Sequence, residues 1–171
     1  MVKKLEERED EFYYEGARSI ILDKECILEE IDNGALVGAR FVECPVYKQA
    51  DKIAFALAYE KKILGYFIIK PIDIAGFVGV QAYKGWICPE LRGQGIYSRL
   101  RIHAQNGFPL ISDPEGMTEK AFNSWIKEMK QDVYCFNRDS TNHQKIDEVQ
   151  TDELFCNGEL EYKWSLVLLP R

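Results

Sequence analysis

No stretch of this chain stays apolar long enough to cross a membrane. The 171 residues are 46% hydrophobic, but charges interrupt every run well short of the roughly 18 residues that a spanning helix requires. The opening Met-Val-Lys-Lys-Leu-Glu-Glu-Arg-Glu-Asp lacks the apolar centre of a signal peptide, so a cytoplasmic location is expected. Basic charge is scarce. With 22 Lys and Arg against 28 Asp and Glu the net charge is −6, which weighs against a general nucleic-acid binder, since such proteins present broad basic surfaces. Five cysteines, Cys26, Cys44, Cys88, Cys135 and Cys156, are odd in number, widely spaced and free of any Cys-x-x-Cys pair. That pattern argues against a disulfide framework and a zinc site, and the thiols are read as buried or half-buried. Internal repeats and low-complexity linkers are also missing. The length suits one domain over residues 1–171, with the charged residues 1–11 as a frayed or exposed terminus.

What charge there is lies unevenly. Residues 1–34 hold eleven acidic and five basic side chains, whereas residues 84–105 hold Lys84, Arg92, Arg99 and Arg101 against Glu90 alone. The basic cluster surrounds the stretch on which the chain is organised, Val78 to Gln105. There an aromatic-rich run reads as a strand to about Cys88, Pro89 ends its ladder, and Arg92-Gly93-Gln94-Gly95 opens a helix. Ile96, Leu100 and Ala104 recur every four residues and form the packed face. Arg99, Arg101 and Gln105 fall elsewhere on the wheel, where they would meet solvent or a ligand. Two glycines at a helix mouth allow a sharp turn and close backbone approach, and the unpartnered N–H groups there attract anions.

Along the rest of the chain the pattern is mostly of strands. Residues 11–32 suit either a helix pair or two short strands, and 35–42 reads as a strand after the Asn33-Gly34 turn. Residues 45–51 read as a loop before a strand over 52–60, in which Ile53, Phe55, Leu57 and Tyr59 alternate with Ala54, Ala56 and Ala58. A second strand is expected over 63–69, a loop over 71–76, and the central strand from Phe77. After the helix, Asn106-Gly107 is a C-cap signal, and 108–113 reads as a short buried strand parallel to the central one. Residues 118–130 read as an amphipathic helix, 132–137 and 154–169 as two or three strands with an Asn157-Gly158 turn, and 140–151 as a polar loop. His103 reads as a packed helix residue and His143 as a solvated loop histidine.

The string Ile87-Cys-Pro-Glu-Leu-Arg-Gly-Gln-Gly-Ile96, at a strand-to-helix junction after three successive antiparallel strands, resembles the signature of the GNAT superfamily of acyl-CoA-dependent N-acyltransferases. The resemblance implies an α/β fold with a mixed central sheet, antiparallel N-terminal strands and flanking helices. It covers residues 52–136 by motif and element order, and the ends by order alone. It also implies acetyl-CoA or another acyl-CoA as cofactor, with the pyrophosphate at Arg92, Gly93, Gln94, Gly95 and Ile96. Tyr97 stands where the family has Gly or Ala, so its ring would crowd the pyrophosphate or stack on the cofactor. In the 118–130 helix Thr118 stands where an Asn contacts the pantetheine arm. There Trp125 replaces a Tyr whose hydroxyl protonates the departing thiolate, and an indole N–H is a poor proton source.

In such a reaction an amine attacks the thioester directly. The protein positions both reactants, takes a proton from the ammonium and stabilises the oxyanion with a strand N–H, here from Ile87 or Cys88. Gln81 is near the place of a family Glu base, which leaves Glu90 and Tyr83 as the candidate bases. Cys88 as a nucleophile has no His or Asp placed to activate it. The implied acceptor is an amine-bearing small molecule or protein. The other readings are a GNAT-fold protein with altered chemistry that acts by binding a protein partner, and a nucleobase-modifying relative of phage type.

Overall fold

A computed structural model describes residues 25–60, 62–74, 77–112, 123, 125, 133–137, 143–146 and 164–170. Nine strands run in chain order among them: β1 (Cys26–Glu30), β2 (Arg40–Val46), β3 (Gln49–Tyr59), β4 (Lys62–Ile74), β5 (Phe77–Ile87), β6 (Leu110–Ile111), β7 (Val133–Asn137), β8 (His143–Ile146) and β9 (Trp164–Leu168). Between β5 and β6 lie a 3-10 turn at Pro89–Leu91 and one helix, α1 (Ile96–Gln105). Asn123 and Trp125 are also helical. The described residues fall into two compact units, one within 1–70 and 83–106, the other within 71–82 and 107–171.

The first unit is an antiparallel sheet in the order β1-β2-β3-β4-β5. Alternation in β3 decides its two faces. Ala54 and Ala56 join Val42, Cys44, Val46, Tyr66, Ile68 and Trp86 in one buried cluster. The small side chains leave room there for the Tyr66 and Trp86 rings, which stack with centroids 6.0 Å apart. Phe55 and Leu57, on the opposite face of the strand, are buried as well. Phe41 of β2, fully buried, and Phe67 of β4 lie under side chains of α1. Gly65 lets β4 and β5 approach closely: a Cβ there would stand 2.6 Å from Ile87 Cδ1 and 3.2 Å from the Trp86 carbonyl oxygen.

Two prolines sit inside strands where loops were expected. Pro45 pairs with Ile53 in β2, beside a register shift at Pro45/Val46, and only Tyr47 and Lys48 separate β2 from β3. A proline lacks a donor but is tolerated next to such an irregularity. Lys48 takes the left-handed conformation in this turn, with φ 56°. Pro71 likewise lies within β4, which runs on to Ile74. For residues 25–32 the strand reading holds, as β1, while 11–24 lie outside the described residues.

In the second unit the order is β5-β6-β9-β7-β8. Val80 and Gln81 of β5 pair in parallel with Leu110 and Ile111 of β6, as the sequence led one to expect, and the other pairings are antiparallel. Together these make a mixed α/β arrangement that is rich in strand. β8 corrects the polar-loop reading of 140–151 and places His143 in a strand paired with Phe136. Ser112 extends β6, its N–H donating to the Leu166 carbonyl while its hydroxyl accepts from the Leu166 N–H. Trp125 is 2% exposed and is a core side chain. Thr118 and the Asn157-Gly158 turn lie outside the described residues. Among the described residues no helix is long and apolar enough to cross a membrane.

The row of alanines facing two aromatic rings gives a direct test. Ala56→Leu should lower the unfolding free energy by about 1–3 kcal/mol in urea titration, because the added volume has nowhere to go. An unchanged midpoint would show that this face is loosely filled.

Candidate functional site

The corner joining β5 to α1 is shaped by its residues one after another. The Cys88 N–H donates to the Leu64 carbonyl, which ties the end of β5 to β4. Pro89 then begins the 3-10 turn, closed by Leu91 N–H to Cys88 and Arg92 N–H to Pro89. Two side chains pin the turn to itself. Arg92 Nε donates to the Ile87 carbonyl at 3.1 Å, and Gln94 Nε2 donates to the Glu90 carbonyl at 3.1 Å. Gly93 and Gly95 both take the left-handed conformation, with φ 79° and 77°, and a Cβ at either would meet nothing within 4 Å. Gly95 is the N-cap of α1, no side chain caps that end, and its first turn carries no acidic residue. A backbone donor set of this kind suits an anion.

The helix that follows is held on two sides. Tyr97 does not stand in the mouth. Its ring packs edge-on against Phe67, centroids 5.4 Å apart, and occupies the space that Gly85 leaves on β5. A Cβ at Gly85 would lie 2.9 Å from Tyr97 Cε2 and 3.1 Å from Phe67 Cδ2. On the other side, Arg99 and His103, one turn apart, converge on Glu29 of β1. Arg99 Nη2 pairs with Glu29 Oε1, and His103 Nε2 lies 3.1 Å from Oε2. Phe41 lies beneath both, 4.4 Å from the Arg99 guanidinium carbon, with its ring centroid 5.4 Å from that of His103. Burial alone would raise the Glu29 carboxyl, but the hydrogen bonds from His103 and Arg99 and their charges outweigh it and hold the group below its ordinary value.

The expected basic cluster is thus mostly committed. Arg99 is paired with Glu29, and Arg101, placed on the ligand side by the wheel, is 2% exposed; Gln105 is buried too. Ile96, Leu100 and Ala104 are buried as expected, so burial extends beyond the single apolar stripe. Burial also lowers the Lys84 ammonium from its usual value. Glu90 is exposed in the 3-10 turn. Tyr83 is exposed on β5, with the Lys52 ammonium 3.4 Å from its ring centroid and also bound to Gln49 Oε1 at 2.6 Å. Lys52 further lines a shallow groove of about 350 Å³ with Glu25, Cys26, Glu43 and Cys44. Burial, with Glu25 and Glu43 nearby, pushes the Cys44 thiol up to about 12. Cys88 is also raised, chiefly by burial, which suits an inert thiol. Cys26 is exposed, unlike the expected buried thiol. Among the described residues no group of three or more His, Cys, Asp or Glu converges as a metal site.

Of the two candidate oxyanion donors, the Cys88 N–H is already bonded to the Leu64 carbonyl. Glu29, Phe41, Phe67 and Gly85 were absent from the sequence-derived site. Gly85 alone left a signal, a glycine inside an apolar strand, which marks a close approach.

Two predictions test this geometry. Gly85→Ala should cost about 1–3 kcal/mol by forcing two rings apart, and in the background of Tyr97→Ala the cost should fall by at least about 0.5 kcal/mol. Additive losses in urea titration would contradict the ring contact. The second concerns pH. Because the Glu29 value is lowered on folding, its contribution is present above the ordinary 4.5 and is lost as pH falls through the folded value. Between about pH 5 and pH 3 the wild-type urea midpoint should therefore fall more steeply than that of Glu29→Gln, and parallel slopes would sink the ion-pair account.

Comparison with known proteins adds little to this geometry. No protein-family model matches the chain, and no curated protein matches it. Among solved structures, that of a point-mutant AtaT toxin bound to the C-terminus of the antitoxin AtaR is similar. The TM-score is 0.41 at 20% identity, over 66% of this chain and 77% of that one. A likeness at that score carries no argument about fold or activity.

Proposed function

We propose that the chain is an acyl-CoA-dependent N-acyltransferase that holds the coenzyme pyrophosphate at the N-terminus of α1. The observation that carries this reading is the coincidence of the Arg92-Gly-Gln-Gly-Ile96 string with a pinned strand-to-helix corner whose two left-handed glycines face open space. The donor set fits such a group. Backbone N–H groups at an end with no side-chain cap and no acidic residue in the first turn match phosphate oxygens. Recognition would rest on the backbone more than on arginine, since Arg99 is paired and Arg92 braces the turn through Nε.

When bound, acyl-CoA supplies an activated thioester. The chain would hold the phosphates with the N–H groups at Gln94 to Tyr97, and the Ile87 N–H would face the carbonyl oxygen. The base remains between the Glu90 carboxylate, exposed in the 3-10 turn of the corner, and the Tyr83 hydroxyl, exposed further back on β5 beside Lys52. The acceptor in this reading is an amine-bearing small molecule or protein.

Acetyl-CoA should raise the melting temperature, since a ligand that binds only the folded state stabilises it, by about 2.7 kcal/mol at a hundredfold excess over Kd. Gly95→Asn should weaken binding at least about tenfold: Asn tolerates the left-handed conformation, yet places a side chain in the mouth. Circular dichroism would confirm that the variant is folded. No thermal shift at millimolar acetyl-CoA, or full affinity in folded Gly95→Asn, would remove this reading.

A further inference from the structure

Strand β1, at the edge of its unit's sheet, carries one residue more than the strand it faces. Cys26 stands opposite Glu43 and Ile27 opposite Val42, after which Glu29, not Leu28, stands opposite Phe41. Leu28 is the extra residue of a β-bulge. Such a bulge re-aims the side chains beyond it, because a one-residue slip moves each to the other face. Here its effect is specific: Glu29 is brought to the Phe41 side, where Arg99 and His103 hold its two oxygens. Leu28 is left 38% exposed. The Glu29 side chain, 41% exposed, meets its two partners at the rim of α1, and that pairing is what the bulged arrangement gains over a regular one.

We propose that β1 is a two-register strand, with its register selected by the pairing of Glu29 to Arg99 and His103. In the second register the bulge is gone, Leu28 faces Phe41, Glu29 faces Arg40 and the α1 side chains are released. The geometry makes the exchange local. Cys26 and Ile27 keep their partners, and the change begins at Leu28. The slack falls in the turn after β1, where Gly34 and Gly38 sit at φ 81° and 84° with open space beside them. The bonds from Ile31 N–H to Ala39 and from Gly38 N–H to Ile31 would be remade one residue along. Arg40, now opposite Glu30 and 3.4 Å from Glu25, awaits Glu29 as a cross-strand partner. The charged groups around Glu29 among the described residues are Arg99 and His103 on α1, Arg40 and Glu43 on β2, and Glu25 and Glu30 on β1. Loss of the Glu29 charge, or removal of Arg99, favours the regular register. The helix that bears the anion-attracting corner is thereby coupled to an exposed strand edge, a coupling that does not depend on the acyl-CoA reading.

The test is solution NMR on the full chain with labelled leucine methyls. At neutral pH the wild-type Leu28 methyls should show no contact with the Phe41 ring. In Glu29→Ala they should gain cross-peaks to that ring and move upfield by its ring current, with amides 30–38 displaced and those of Cys26 and Ile27 little changed. Arg99→Ala, which leaves the β1 sequence intact, should move the same signals in the same direction. Leu28 methyls that stay solvent-like in either variant, shown to be folded, would overturn the proposal.

Discussion

The path of the chain from Ile87 to Ile96 is the constraint on which the rest of the first unit depends. A proline that ends the strand, two glycines that turn the backbone left-handed, and two side chains that bond back to the carbonyls of Ile87 and Glu90 leave α1 one direction in which to start. That direction brings Tyr97 down on Phe67 and Gly85 and brings Arg99 and His103 across to Glu29. The helix mouth is open because the side chain most able to fill it, Tyr97, packs against the sheet. Its donors are concentrated there by helix geometry, with no carboxylate in the first turn to compete.

Size complementarity does on the sheet what hydrogen bonds do at the corner. Alanines on β3 make room for Tyr66 and Trp86 on one face, while Gly65 and Gly85 admit Ile87 and Tyr97. In a close-packed interior each small residue is tied to a particular large one, so neither can be exchanged alone. Where a glycine matters here for its missing Cβ, the requirement comes from side chains far along the chain, as with Gly65 and Ile87. A reading of local propensity has no access to it.

Much of the framework was nonetheless legible. Alternation in β3, the Asn106-Gly107 stop and the glycine-rich start of α1 are local signals, and each of these features lies where they put it, as does the parallel β5–β6 pair. The misses share a cause, which is pairing with distant residues. Pro45 and Pro71 looked like breakers, yet a bulge beside one and a long strand around the other absorb them. The polar segment containing β8 earned no strand reading from its own residues, because its pairing with β7 supplies what its composition does not. Arg101 and Gln105 looked like solvent-facing positions, but α1 is covered on more than one side. Glu29 was invisible as a site residue because its orientation rests on a bulge, and no sequence pattern announces one.

The central claim is that α1 offers an anion site made of backbone rather than of side-chain charge. The most direct measurement is a map of backbone amide shifts on titrating coenzyme A into the 15N-labelled chain, repeated in higher salt. The account predicts the largest displacements at Gly93 to Tyr97, with the same residues still displaced when salt weakens the affinity. Displacements that spare these amides and gather elsewhere, for example around Glu25, Glu43 and Lys52, would contradict it.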